Sequence, residues 1–129
     1  MLDQKIKELI TEGKNFACIS TIDSKGYPHS TIVWIGCEGD LLVYNTEVHR
    51  KQFKNVETNP NVSVAIWDAQ NPYRYAEVVG KVVKTETGEV ARKHIDELSN
   101  HYTGANYGME IASERVKLYV EVIKQRIQG

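Results

Sequence analysis

What this chain lacks narrows it first. It has no CxxC pair and no Cys/His cluster, so no metal site can be read from it. Its two cysteines, Cys18 and Cys37, each sit inside an apolar, strand-like run. Free thiols behaving as small hydrophobes are the plain reading; a disulfide between neighbouring strands stays open, since spacing does not decide it. No sign of charge dominates: 16 Lys plus Arg stand against 17 Asp plus Glu, a formal net charge of −1. General nucleic-acid binding needs a dominant basic surface and is not expected. No G-x-S-x-G context surrounds Ser20, Ser30 or Ser63, which argues against a hydrolase nucleophile. Met1 to Lys7 holds no apolar core of signal-peptide length, and no run is long enough to span a bilayer. The expectation is a cytoplasmic protein without membrane contact. No repeat, low-complexity tract or linker appears, so residues 1–129 are expected to form one domain with an ordinary core: 41% of residues are hydrophobic and 26% charged.

What is present reads as strands joined by short turns. Leu2, Ile6, Leu9 and Ile10 mark one face of a short helix that Gly13 stops. Phe16 to Ile22 is a β-type run, Asp23 to Gly26 a hairpin turn, and Pro28 to Ile35 the β-branched return strand. A turn at Cys37 to Asp40 leads to a third strand over Leu41 to Asn45, completing a three-stranded meander. Arg50 to Asn55 reads as a helix with Phe53 and Val56 inward. Val62 to Trp67 is apolar on nearly both faces, hence central. After a loop at Asp68 to Pro72, Tyr73 to Thr85 is a long fifth strand, with Gly80 a bulge or corner. A helix with Val90, Ile95 and Leu98 inward follows, then a Gly-containing loop from Asn100 to Met109. That loop, with Tyr102 and Tyr107, is either packed or a lid over a pocket, and the lid is preferred. A last strand runs from Val116 to Ile123. Six strands with helices after the third and fifth predict a small antiparallel barrel, mainly β with flanking helices.

The most informative stretch is Leu41 to Asn55. A buried-type strand ends in Asn45 and Thr46, and His49, Arg50 and Lys51 then open a helix. Cations at a helix N-terminus oppose its dipole, at about 0.3–1 kcal/mol each, so a counter-anion such as phosphate is expected there. Thr46 also suits an N-cap, which is compatible with phosphate contact. Tyr44, Trp34 and Trp67 are core aromatics or, for one of them, a wall for a planar ligand.

The order of these pieces resembles the pyridoxamine 5′-phosphate oxidase-like split β-barrel family. The motifs are Asp23/Gly26/Pro28, Asn45/Thr46/Arg50/Lys51 and Asn59-Pro60-Asn61-Val62-Ser63-Val64. Leu98, Tyr102-Thr103-Gly104, Tyr107 and Glu114-Arg115-Val116-Lys117-Leu118 resemble the subgroup that uses the deazaflavin F-420. The resemblance implies a six-stranded, homodimeric, FMN-binding-type split barrel with a flavin or deazaflavin at the subunit interface. Arg50 and Lys51 would hold its phosphate, Asn45 and Thr46 would fix the oxygens, and Ser30, Thr31, Ile32 and Val33 would run along the ring. Tyr44 is counted with the cofactor contacts for its aromatic ring, not through the resemblance. The activity implied is hydride transfer between F-420 or FMN and a small organic substrate. A non-catalytic flavin, haem or tetrapyrrole carrier is the alternative; His29 or His49 would be its nearest iron ligand.

Pyridoxamine phosphate oxidases carry an arginine where Thr31 stands, and a C-terminal substrate-phosphate motif that this chain lacks. Oxidation of that substrate is therefore not expected. With Thr31 neutral and cations at Arg50, Lys51 and Lys54, the charge pattern suits the longer acidic tail of F-420, which is favoured over FMN. No catalytic residue is singled out among His29, His49, His94 and His101, because the cofactor carries the chemistry.

Overall fold

A computed structural model describes residues 1–129. The chain is mainly β, with three helices and one antiparallel sheet. Strands β1 (Ala17–Ile22), β2 (Pro28–Val33), β3 (Gly36–Glu38), β4 (Leu41–Glu47), β5 (Asn61–Asp68), β6 (Asn71–Glu86) and β7 (Arg115–Gln128) are interleaved with α1 (Gln4–Thr11), α2 (Lys51–Thr58) and α3 (Gly88–Thr103). There are seven strands where six were expected. The additional one, β3, occupies residues read as a turn, and three residues on the β4 edge are too few to leave a periodic signal.

The sheet order is β2-β1-β5-β6-β7-β4-β3. The expected meander therefore breaks after β2: the third long strand lies across the sheet, beside β7. Only Trp34 and Ile35 separate β2 at one edge from β3 at the other. That link reaches about 10 Å at full extension, so the edges must lie close together. The sheet is rolled without closing, and a gap is left where the chain crosses from β2 to β3.

One core of 19 buried residues draws from α1, α2 and the strands, including Ile6, Leu9, Ile19, Tyr44, Val64, Val78 and Leu118. A single cluster fed from so many strands requires such curvature. Part of the bend comes from Gly80, where the β6–β7 register shifts. A Cβ there would lie 2.5 Å from Val120 Cγ1 and 2.8 Å from the Glu121 carbonyl oxygen, so only glycine fits the close approach. β5 is central between β1 and β6, as expected, but it alternates: Val62, Val64 and Ile66 are buried, whereas Ser63 and Ala65 are exposed.

The hairpin at Asp23 to Gly26 forms as its residues dictate. The Asp23 carboxylate accepts from the backbone N–H of Lys25 and of Tyr27, both at 2.9 Å, and Gly26 takes φ +86°. The β5–β6 connection is tighter than expected: Asp68 pairs with Asn71, and Pro72 falls within β6. Helix α3 runs on to Thr103, stopped by Gly104 in the left-handed region, so Tyr102 and Thr103 are helical, not loop residues. Val90, expected inward, is exposed.

Candidate functional site

Helix α2 starts without a cap. Arg50 holds the N-cap position with extended backbone and no side-chain capping bond. The N–H groups of Phe53 and Lys54 go to the Arg50 carbonyl, leaving those of Lys51 and Gln52 without a protein acceptor. Thr46, the residue expected to cap, is instead fully buried in β4, where its hydroxyl accepts from Gln52 Nε2 at 3.0 Å.

Beside this helix start, a cavity of about 220 Å³ opens at the gap in the sheet. Phe16, Ile32, Val33 and Trp34 form one wall; Asn45, Arg50, Gln52, Tyr107 and Arg115 supply polar groups. The aromatic wall is built on Tyr102. Its ring lies between Phe16 (5.7 Å, 12°) and Trp34 (5.4 Å, 9°), and Tyr107 meets Trp34 edge-on at 6.2 Å. The Tyr102 hydroxyl donates to the Asn15 carbonyl and accepts from the Ile35 N–H at 3.1 Å. Tyr102 is therefore a buried anchor, and the preferred lid reading fails for it. Tyr107 remains at the cavity but is held, its N–H donating to Asp96 at 3.0 Å.

Two arginines from distant parts of the chain converge here. Register pairing of Glu47 with Arg115 brings the start of β7 alongside the end of β4. Glu47 Oε2 lies 3.3 Å from Arg50 Nη2 and 3.6 Å from Arg115 Nη1, and Glu47 Oε1 accepts from the Ser113 N–H at 2.7 Å. Burial works to raise the Glu47 carboxyl; the Ser113 N–H, then Arg115 and Arg50, outweigh it and hold the group below the usual carboxylate range. Glu47 thus stays ionised and keeps both guanidiniums at the cavity. Burial, first of all, lowers the Arg115 value, yet Glu47 counters it and the group stays a cation. Gln52 adds an unpaired acceptor: its Oε1 is buried without a partner.

The sequence-expected site residues separate into three sets. Ile32, Val33, Asn45 and Arg50 line the cavity. Lys51 turns away to Asp23 at 3.6 Å, tying the β1–β2 turn to α2, while Lys54 is exposed and Ser30 pairs with Ser20 on the outer face; Thr31 is half-buried and does not line the cavity. Tyr44 is enclosed in the core, where burial pushes its phenol up, and Thr46 is sealed behind Gln52. Of Tyr44, Trp34 and Trp67, only Trp34 lines the cavity, and it does so from the link between β2 and β3. Asn45 is fully engaged: its Oδ1 accepts from Arg115 Nε at 2.8 Å, and its Nδ2 donates to the Ala91 carbonyl and His94 Nδ1, both at 3.0 Å. It positions Arg115, and both of its N–H donors are already used. The sequence marks neither Gln52 nor Arg115 as a site residue: Arg115 falls only within a family-like motif, and its partner strand is set by long-range pairing.

The family model for pyridoxamine 5′-phosphate oxidase matches residues 2–129, and the chain belongs to that family. Among curated proteins no match is found. Among solved structures, an F-420 reductase is similar at TM-score 0.80 and 24% identity, covering 92% of this chain and 94% of that one. The HupZ protein of Group A Streptococcus is similar at TM-score 0.69 and 19% identity, with 98% and 94% covered. General Stress Protein 26 from Bacillus anthracis gives 0.70 and 21%, with 97% and 95% covered. At these identities the likeness is one of fold. No helix is long and apolar enough to cross a membrane.

Proposed function

We propose that residues 1–129 act as one flavin-binding domain of an oxidoreductase. It binds F-420 in preference to FMN and passes hydride to a small organic substrate. The observation that carries this is the convergence of Arg50 and Arg115 on one aromatic-walled cavity beside the free N–H groups of α2. Two fixed cations with unpaired amide donors suit a phosphate. Flat rings on Phe16 and Trp34 suit a planar ligand, and the unpaired Gln52 Oε1 suits a ring N–H. Deazaflavin, when bound, supplies the hydride. The chain's own residues bind and orient it: Glu47 and Asn45 hold Arg115, Glu47 holds Arg50, and Tyr102 fixes the aromatic wall. The F-420 reductase among the structural neighbours adds support for the preference.

At about 220 Å³ the cavity is too small to enclose such a cofactor, which supports a homodimer. Ile32, Cys18 and Ala65 lie abreast on the outer face of β2, β1 and β5, and Ile32 at the cavity wall is 58% exposed. A second copy seated there would bury this face and supply the missing wall. A haem carrier is less well served: of the side chains at the cavity only Tyr107 is of a type that ligates iron. Equilibrium titration with F-420 and FMN tests the reading.

A further inference from the structure

A second cavity, of about 230 Å³, lies on the other side of α3. Ile10, Ile35, Val43 and Leu98 supply apolar wall, and Thr11, Cys37, Glu38, Glu97 and His101 stand around its polar margin. His94 also lines it, although this side chain is 97% enclosed by the protein, being 3% exposed.

The protonation of His94 follows from a chain of hydrogen bonds that begins in the first site. Arg115 Nε can only donate, so the Asn45 atom it meets is the amide oxygen. Asn45 therefore presents its NH₂ group to His94 Nδ1, and that nitrogen must accept. The proton of the neutral ring is then on Nε2. This N–H has no partner. A buried donor left unpaired is costly, and native interiors seldom tolerate it without a ligand. A water there would satisfy this donor but leave the apolar surfaces of Ile10, Ile35, Val43 and Leu98 uncovered, whereas a molecule with an apolar body would cover them.

We infer that this second cavity is a binding site for a small uncharged molecule that presents a carbonyl oxygen to His94 Nε2–H and an apolar body to Ile10, Ile35, Val43 and Leu98. The charges around it exclude other classes. Glu38 is already paired with Lys117, and Glu97 at the margin repels an anion. A cation would meet an N–H donor with Lys117 and Arg115 behind it, the two positive neighbours of the imidazole. The volume is that of a single-ring molecule, since an apolar cavity of about 150 Å³ accepts benzene. The site does not depend on what the first cavity binds.

Cyclohexanone and methylenecyclohexane make the test, because they share a shape and differ in the carbonyl oxygen. Each is titrated into the full chain while the imidazole ¹H–¹⁵N resonances are followed. Cyclohexanone is expected to move the His94 Nε2–H resonance saturably and to bind about 10-fold more tightly than the hydrocarbon, the worth of one newly paired buried donor. In His94→Phe the two probes should bind equally. Should that variant not fold, Thr11→Trp at the exposed rim fills the mouth without touching the imidazole, and both probes should lose their effect. Equal binding of the two probes to the wild-type chain, no saturable shift of His94, or an undiminished response in Thr11→Trp would each overturn the assignment.

Discussion

Glu47 and Arg115 face each other across the β4–β7 pairing, with Oε2 and Nη1 3.6 Å apart and both side chains at most 5% exposed. Glu47 is the only acid near either cavity arginine, so it alone balances Arg115 and Arg50. Glu47→Gln leaves a buried guanidinium without counter-charge. Unfolding in urea should show a loss of about 3 kcal/mol. A loss below about 1 kcal/mol would mean that solvent or relaxation already screens the pair.

His94 gives the fold a pH dependence. Burial, then Lys117 and Arg115, lower its value from 6.5 to about 4. Between those values the unfolded chain binds a proton that the folded chain refuses. The contribution is present in full above pH 6.5 and is lost as pH falls toward 4, by at most about 3 kcal/mol. Urea midpoints measured across this window should fall with pH in the wild type and flatten in His94→Phe. Parallel slopes for the two proteins would contradict it.

Gly80→Ala tests the bend in the sheet. The added methyl meets Val120 Cγ1 and the Glu121 carbonyl oxygen, and neither can move without shifting β7. The expected cost is about 1–3 kcal/mol in thermal or urea unfolding, with far-ultraviolet dichroism unchanged. An unaffected midpoint would show that β6 and β7 are not held at this spacing.

The homodimer is tested by sedimentation of the wild-type chain and of Ile32→Glu. The wild type should sediment as a dimer at micromolar concentration. A charge on the proposed interface, beside the cavity, should shift it to monomer. A wild-type monomer that still binds cofactor would remove the second copy from the site.

How far the sequence could be read depended on the range of the interactions. The Asp23–Gly26 hairpin, the need for glycine at 80 and the placement of Arg50 were legible, because local turn chemistry, a backbone signal and a cation cluster announce them. Arg115 as a site residue was not. It reaches the cavity because β7 pairs with β4, and nothing within a few residues of it encodes that pairing. Lys51 shares the cation cluster with Arg50, yet Arg50 is the extended N-cap and Lys51 the first helical residue, so the two side chains diverge and that of Lys51 goes to Asp23. Tyr44 failed for a different reason. From Leu42 to Glu47 every residue of β4 is buried, so no alternation says which side chains face the core and which the cavity. Tyr102 reads as a loop residue in the sequence because Asn100 suggests a break one helical turn before Gly104, the actual stop.

The proposed phosphate site is made by Arg50 and Arg115 and does not include Lys51. Fluorescence titration of F-420 into the wild type, Arg50→Ala, Arg115→Ala and Lys51→Ala tests it most directly, with FMN titrated in parallel. Each lost charge-assisted bond is worth about 1.5–3 kcal/mol, so each arginine variant should bind F-420 at least about 10-fold more weakly. Lys51→Ala should stay within about 3-fold of the wild type, because its partner is Asp23. F-420 should bind the wild type more tightly than FMN. Tighter binding of FMN would reverse the order of cofactors. Unchanged affinity in both arginine variants, or no binding of either cofactor by the wild-type chain, would show that these arginines hold no cofactor phosphate.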